Sequence, residues 1–321
     1  MSSIFLCTEV SSDVLSWMHI GDLHLTKAGQ PNHPDLKALI SAANRNFAGA
    51  IDFIVLPGDN AGDGTEQQFG PVRDAIVSLR VPLHILPGDH DFKPRNLDAF
   101  YRMLGADERP KAVTTAGVRC LFFDVVSAGS GGPGFRVDTG QIEWLAGELR
   151  QADQADQCSV IFMHTYPADL KQGGAALCAL LARHPVVCVD MGHTHYNELA
   201  NDGYTIYAAT RSTGQNEEGP VGFSMAAVDN GVVSWRFKPL AEAWPFVLIT
   251  SPADARLIID PRARNQIPRG LFDARAKAWS GKALPLRVAG SMTEAGVRWC
   301  VIPVTPAFGN ASARHWAAHS G

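Results

Sequence analysis

The chain has no uninterrupted run of about eighteen apolar residues, which excludes a spanning helix of the ordinary kind. It has no lysine or arginine ahead of its short N-terminal apolar patch, Ile4-Phe5-Leu6, so its start does not read as a secretory signal. It has no large excess of one charge: 28 Lys+Arg against 32 Asp+Glu leave a formal net charge of -4. That balance argues against a dedicated nucleic-acid or anionic-membrane surface. Its six cysteines (Cys7, Cys120, Cys158, Cys178, Cys188, Cys300) show no close pairing, and four of them lie in apolar runs. They read as reduced core residues of a cytoplasmic protein, not as a disulfide frame. There is no internal repeat. Gly131-Gly132-Pro133-Gly134 is not a phosphate loop, because no Lys-Ser/Thr in a strand-to-helix context follows it.

What is present is an ordinary globular composition, 46% apolar and 19% charged over 321 residues. That is enough for one large domain, or for a large and a small one. Strands are expected over 14–20, 51–56, 82–86, 118–124, 159–163 and 185–191. Helical stripes lie between them. The first is capped by Asp35 and carries Leu36, Leu39, Ile40, Ala43 and Phe47. The second is capped by Thr65 and carries Phe69, Val72, Ile76 and Leu79, with Gly70-Pro71 weakening its first turns. Three more are expected over 96–104, from a cap at Thr139, and over 175–182. The pattern then changes. Residues 204–208, 222–228 and 232–237 read as a β-meander, with Asn230-Gly231 as a hairpin turn. Beyond Trp244, short strands over 246–250, 256–259, 271–279 and 298–304 read as a small all-β module, ending in a tail over 311–321. The expected division is an α/β domain over 1–243 and the β module over 244–321.

Five of the early strands end in groups that can ligate metal. Asp22-Leu23-His24 follows the first, Gly58-Asp59-Asn60 the second and Gly88-Asp89-His90-Asp91 the third. His164 and Gly192-His193-Thr194-His195 follow two later strands. Parallel strands open their C-terminal ends onto one crevice, so these blocks have a place to meet. Taken alone, His193-Thr194-His195 reads equally as an exposed polar turn. Carboxylate with neutral imidazole suits Mn, Fe, Zn or Co rather than Ca or Mg alone.

In this order the blocks resemble the calcineurin-like metallophosphoesterase superfamily, cyclic-nucleotide phosphodiesterases included, whose pattern is D-x-H, GD, GNH, H, GHxH. The resemblance covers about residues 14–240. It implies a four-layer αββα sandwich with a dinuclear metal site at the edge of two mixed sheets. It implies Asp22, His24 and His195 on one metal, His164, His193 and Asp89 on the other, and Asp59 bridging both. His90 would sit over the phosphate and protonate the leaving oxygen or stabilise the transition state, with Asp91 orienting and charging its imidazole. The implied activity is hydrolysis of a cyclic nucleotide or other small phosphodiester by a hydroxide bridging the two metals. A phosphomonoesterase or a nucleotide pyrophosphatase would use the same site. A scaffold that kept the fold without the chemistry is the non-enzymatic alternative, although every ligand position here keeps an oxygen or nitrogen donor. The departure is Asp89, where the family usually has Asn. Two divalent metals, three carboxylates and one hydroxide then sum to zero instead of +1. That count favours diester monoanions over monoester dianions, or a modest activity.

Specificity is expected in the loops 26–34, 127–138 and 211–219. Arg211 and Asn60 are the candidate substrate-side residues. Arg211 reads equally as a surface arginine, and Asn60 as a hydrogen-bond partner of a ligand or as a turn cap. Tyr196 and Asn197 follow the last ligand and can shape the pocket; His33 reads as a loop residue, at the substrate mouth or in solvent. His19, His84, Trp235 and Trp279 read as core residues. The expected partner is a small phosphoester, with no membrane and no long nucleic acid. Homo-oligomer formation or substrate capping is the role expected of the terminal module.

Overall fold

The computed structural model describes residues 14–106, 110–128, 133–260 and 274–280, and the backbone of 286–293 and 296–303. Its first half alternates strand and helix: β1 (Val14–His19), α1 (Asn32–Asn46), β2 (Phe53–Leu56), α2 (Glu66–Ile76), β3 (Leu83–Ile85) and α3 (Asp98–Leu104). Then come β4 (Lys111–Thr115), β5 (Val118–Phe122), α4 (Thr139–Gln154), β6 (Ser159–Met163), α5 (Gly174–Leu181) and β7 (Val186–Met191). The rest is β8 (Glu198–Asn201), β9 (Ile206–Ala209), β10 (Gly222–Asp229), β11 (Val232–Pro239), β12 (Phe246–Ser251), β13 (Arg275–Trp279), β14 (Leu286–Thr293) and β15 (Gly296–Pro303).

Two sheets form the body. The first has the order β11-β10-β1-β2-β3, with β1, β2 and β3 parallel. The second has the order β4-β5-β6-β7-β9-β8, with β5, β6, β7 and β9 parallel and an antiparallel strand at each edge. Successive side chains point to opposite faces. Trp17, Phe53 and Val55 of the first sheet therefore meet Phe122, Phe162 and Cys188 of the second in an inner core. Trp17 stands edge-on to Phe162 at 5.4 Å, and Phe122 stacks on Phe162 at 4.8 Å. The alternate residues face the helices: Met18 and Ile54 with Leu36, Leu39, Phe69 and Phe100, and Leu121, Ile161 and Val189 with Leu145, Leu149 and Leu177. Both faces of β1, β2, β6 and β7 are covered, which is why these strands read as mostly apolar runs. The result is the four-layer αββα sandwich.

Several expectations need correction. The three strands after residue 203 are not one meander. β9 pairs with β7 in the second sheet, while β10 and β11 form a hairpin on β1 in the first. Short apolar strands carry no mark of the sheet they join. The hairpin turn is as expected, with Asn230 and Gly231 at φ 51° and 78°. α1 starts at Asn32, ahead of Asp35, and the Asn32 amide reaches back to the carbonyls of Leu23 (2.8 Å) and His24 (3.2 Å). α4 is capped by Asp138 in a capping box with Gln141, not by Thr139. Residues 255–257 form a 3-10 turn where a strand was expected. β4, β8 and β14 were not anticipated; β4 and β8 are half-exposed edges without a continuous apolar run. Residues 271–273 and the tail at 311–321 lie outside the described residues.

The boundary expected at residue 243 runs through one core. Phe246, Leu248 and Trp279 of the β12–β13 ribbon belong to the same apolar cluster as Phe47 and Phe223. Lys277 donates to the Val14 carbonyl (2.9 Å) and to Ser16 Oγ (2.8 Å), and Arg275 makes a two-bond pair with Asp229 (2.8 and 2.9 Å). Among the described residues no helix is long and apolar enough to cross a membrane.

Candidate metal centre

Asp22 and His24 follow β1, Asp59 follows β2 and Asp89 follows β3; His164 follows β6, and His193 and His195 follow β7. Both sheets thus deliver ligand types to one edge of the sandwich. The ligand atoms of Asp22, His24, Asp59 and His195 lie within 4.8 Å of one another, and so do those of Asp59, Asp89, His164 and His193. Asp59 is common to both groups. Its Oδ2 lies 3.7 Å from His24 Nε2, and its Oδ1 lies 3.4 Å from His164 Nε2. In the first group His24 Nε2 is 2.9 Å from His195 Nε2, which is 3.5 Å from Asp22 Oδ2. In the second, Asp89 Oδ1 is 3.3 Å from His164 Nε2 and 3.5 Å from His193 Nδ1.

Local backbone makes this approach feasible. The amides of Leu23 and His24 donate to the Asp59 carbonyl (3.0 and 2.8 Å), and His193 N donates to Asp22 Oδ2 (2.7 Å). A Cβ on Gly88 would overlap the Asp59 carboxylate, and one on Gly192 would overlap the Asp22 carboxylate. Only glycine leaves room for the ligands at those two places.

The residues present fit two metal ions. Asp22, Asp59 and Asp89 are all buried, and three carboxylates out of water need a counter-charge. Asp22 Oδ1 and His24 Nδ1 are buried without a hydrogen-bond partner. His164 Nδ1 lies 2.9 Å from the Pro57 carbonyl, so this edge donates there and Nε2 is left for the carboxylates. Burial opposes a charge on His164, but Asp59, Asp89 and Asp22 outweigh it and raise its pKa well above the ordinary value. Burial likewise works against ionised Asp59 and Asp89, yet their histidine neighbours hold both below the usual carboxylate range. Burial and the nearby Asp59 raise the pKa of Asp22. Burial lowers His24 to about 3, which leaves it a neutral donor.

Two expected roles are not met. Asp91 does not orient His90. Its buried carboxylate accepts from Asn60 N (3.1 Å), Asn60 Nδ2 (2.9 Å), Ala61 N (2.9 Å) and Gly88 N (3.0 Å), tying the loop after β2 to the loop after β3. Burial and Asp59 push this carboxyl up to about 7, against the pull of those donors. Asn60 does not face substrate: it is fully buried, and its amide is spent on Asp91 and on the Leu86 carbonyl (2.9 Å). Neighbours in a tight turn point different ways, which their adjacency in sequence does not reveal. The His90 ring packs on His24 at 4.5 Å between centroids, and its Nδ1 lies 2.7 Å from the Gly62 carbonyl.

The Arg211 guanidinium is engaged within the protein, with Nε 3.2 Å from Glu218, a donated bond to the Pro220 carbonyl (3.3 Å) and the Phe237 ring at 4.2 Å. Tyr196 is exposed and donates to Glu217 (3.3 Å), and Asn197 N donates to Glu218 (2.8 Å). His33 is buried in α1, where its Nδ1 accepts from Gly29 N (3.1 Å). His19, paired with Asp190, and Trp279 are buried, His84 stacks on Phe122 and Trp235 is half-buried. Phe135, which sequence reasoning passed over, stands against His193 (4.7 Å) and His164 (5.7 Å). It sits at the end of a glycine-rich loop, and no local pattern marks it.

Two groups of Asp and His that share one carboxylate, at the edge of an αββα sandwich, define the class: a metal-dependent phosphoric ester hydrolase. The chain belongs to the calcineurin-like phosphoesterase family, whose model matches residues 16–197. Over 199 residues it is 30% identical to the glycerophosphodiester phosphodiesterase GpdQ of Enterobacter lignolyticus, covering 55% of this chain and 69% of that one. Over 118 residues it is 30% identical to the 3',5'-cyclic adenosine monophosphate phosphodiesterase CpdA of Escherichia coli K12, covering 36% of this chain and 41% of that one. Two solved structures are similar in fold. A dimetal phosphatase from Danio rerio has a TM-score of 0.57 at 15% identity, over 71% of this chain and 97% of that one. GAP50, the anchor in the inner membrane complex of Plasmodium, has a TM-score of 0.52 at 16% identity, over 72% of this chain and 86% of that one.

Proposed function

We propose that this protein hydrolyses small phosphodiesters, a glycerophosphodiester or a cyclic nucleotide, at a centre of two transition-metal ions drawn from Mn, Fe, Zn and Co. Asp22, His24 and His195 hold one ion; Asp89, His164 and His193 hold the other. The observation that carries the reading is Asp59, whose two oxygens address the two groups separately. When bound, the ions supply an activated water and offset the charge that builds on the phosphate. The rest belongs to the chain. His90, packed on His24, donates a proton to the leaving oxygen. Asp91 and Asn60 lock the loop carrying Asp59 to the loop carrying Asp89 and His90. Phe135 shields His164 and His193. The preference for diesters is supported by the carboxylate at position 89 and by the two curated relatives. Buried, unpaired Cys120 and Cys188 support a reducing, cytoplasmic setting.

The test is metal analysis together with hydrolysis of bis-p-nitrophenyl phosphate and p-nitrophenyl phosphate in added Mn. Two metals per chain and faster turnover of the diester are expected. Faster turnover of the monoester would point to the phosphomonoesterase alternative. Two bound metals with no turnover of either ester would leave a scaffold.

A further inference from the structure

With Asp91 committed elsewhere, the His90 imidazole needs another support, and the structure contains one. Lys93 lies one turn beyond His90: Phe92 N donates to the Gly88 carbonyl (3.2 Å) and Lys93 N to the His90 carbonyl (3.4 Å). That turn brings the lysine ammonium back to the Nδ1 edge of the ring. Its ammonium donates to the Gly62 carbonyl (2.6 Å) and to Asp63 Oδ1 (3.0 Å), and it lies 2.9 Å from His90 Nδ1. The same Gly62 carbonyl is 2.7 Å from His90 Nδ1. Carbonyl, ring nitrogen and ammonium therefore close a triangle at the Nδ1 edge. Asp63, the far anchor, is itself held by Gln68, which donates to Asp63 Oδ2 (3.0 Å) and accepts from Asp63 N (2.6 Å). The ring also packs nearly perpendicular to that of His24, 4.5 Å between centroids.

We propose that Lys93 is a positioning residue for His90: its ammonium, neutralised by Asp63, fixes the Gly62 carbonyl that accepts from the protonated Nδ1, and so sets where the opposite, Nε2 edge of the imidazole points. The activity arm rests on the phosphodiesterase reading above. There, the bond from phosphorus to the attacking water forms as the bond to the alcohol breaks. The water gives up a proton to solvent, the leaving oxygen takes one from His90, and the ring regains one from solvent. A leaving group that needs its proton depends on where that ring stands; one that leaves as a stable anion depends on it less.

The test compares wild type with Lys93→Met and Lys93→Arg. In zinc-loaded protein, ring-nitrogen spectra are expected to show the His90 signals displaced in Lys93→Met, with those of His24, His164, His193 and His195 in place. In kinetics, Lys93→Met is expected to lower kcat by about tenfold on a dialkyl diester such as glycerophosphoglycerol, with markedly less loss on bis-p-nitrophenyl phosphate. KM and metal content stay as in wild type, and Lys93→Arg recovers part of the loss. Unmoved His90 signals in Lys93→Met, or equal losses on both esters, overturn the proposal. If wild type turns over neither ester, the proposed function fails, and the ring spectra still decide the role of Lys93.

Discussion

His24, Asp59, His193 and His195 stand in the left-handed backbone region, with φ of 44°, 51°, 68° and 65°. Such conformations cost about 1–3 kcal/mol each in a non-glycine residue and collect where function requires them. Here they turn side chains at strand ends into one small volume. Asp89 sets the charge of that volume. Asp89→Asn adds one positive charge, and the expected outcome is a fall in the diester-to-monoester ratio of kcat/KM; unchanged selectivity would sink the charge argument. His164 sets the pH response. Asp59, Asp89 and Asp22 raise its pKa well above the ordinary 6.5 despite burial, so in the metal-free protein these carboxylates favour the protonated ring. The raised value stabilises the metal-free fold fully below about pH 6.5 and is lost as pH rises through the folded-state pKa. Metal needs the neutral imidazole, so loading must expel the proton. The expected result is proton release on loading at neutral pH, read in weak buffer, and metal affinity that rises with pH. Loading without proton release would contradict the assignment.

At the level of elements, the site depends on β1 and β7 staying in register across two sheets. Asp190 of β7 accepts from Trp17 Nε1 (2.6 Å) and pairs with His19 of β1, and all three side chains are buried. This contact lies three residues before Asp22 on one strand and three before His193 on the other. Asp190→Ala leaves two buried donors unsatisfied. The expected loss is about 3 kcal/mol of stability, read as a lower urea midpoint, with weakened metal retention. Asp190→Asn, which keeps one acceptor, is expected to lose less. A midpoint unchanged in Asp190→Ala would show that the pair is dispensable. The edge strands are a contrast: β4 and β8 are half-exposed, carry no continuous apolar run and contribute no ligand type to the centre.

Across the whole molecule, the β12–β13 ribbon closes the sandwich instead of standing apart from it. Trp279 and Trp244 both stack edge-on to Phe47 at 5.6 Å. A chain ending at residue 243 is therefore expected to lose roughly 5 kcal/mol or more from the burial of Phe246, Leu248 and Trp279 alone. It should aggregate or elute as an expanded species in gel filtration; a compact, metal-loaded monomer would show the ribbon to be expendable. One face of this ribbon is spent on the core. That Asp22, His24, Asp59, Asp89, His164, His193 and His195 meet at one edge was legible without coordinates, because each follows an apolar run and parallel strands open their C-terminal ends in one direction. The split of β9 from β10 and the task of Asp91 were not, because each depends on partners distant in the chain; nor was the engagement of Arg211, whose partners Glu218, Pro220 and Phe237 gather around it only in the folded chain. The sequence by itself determined the alternation of strands and helices and the kinds of donor at the edge, since periodicity and strand-end chemistry are local; the four layers were implied by the family resemblance. Only the packing of the two sheets decided that Asp59 addresses both groups, and only the pairing of β2 with β3 brought the Gly62 carbonyl to His90 and Lys93, since those distances exist only in the folded chain.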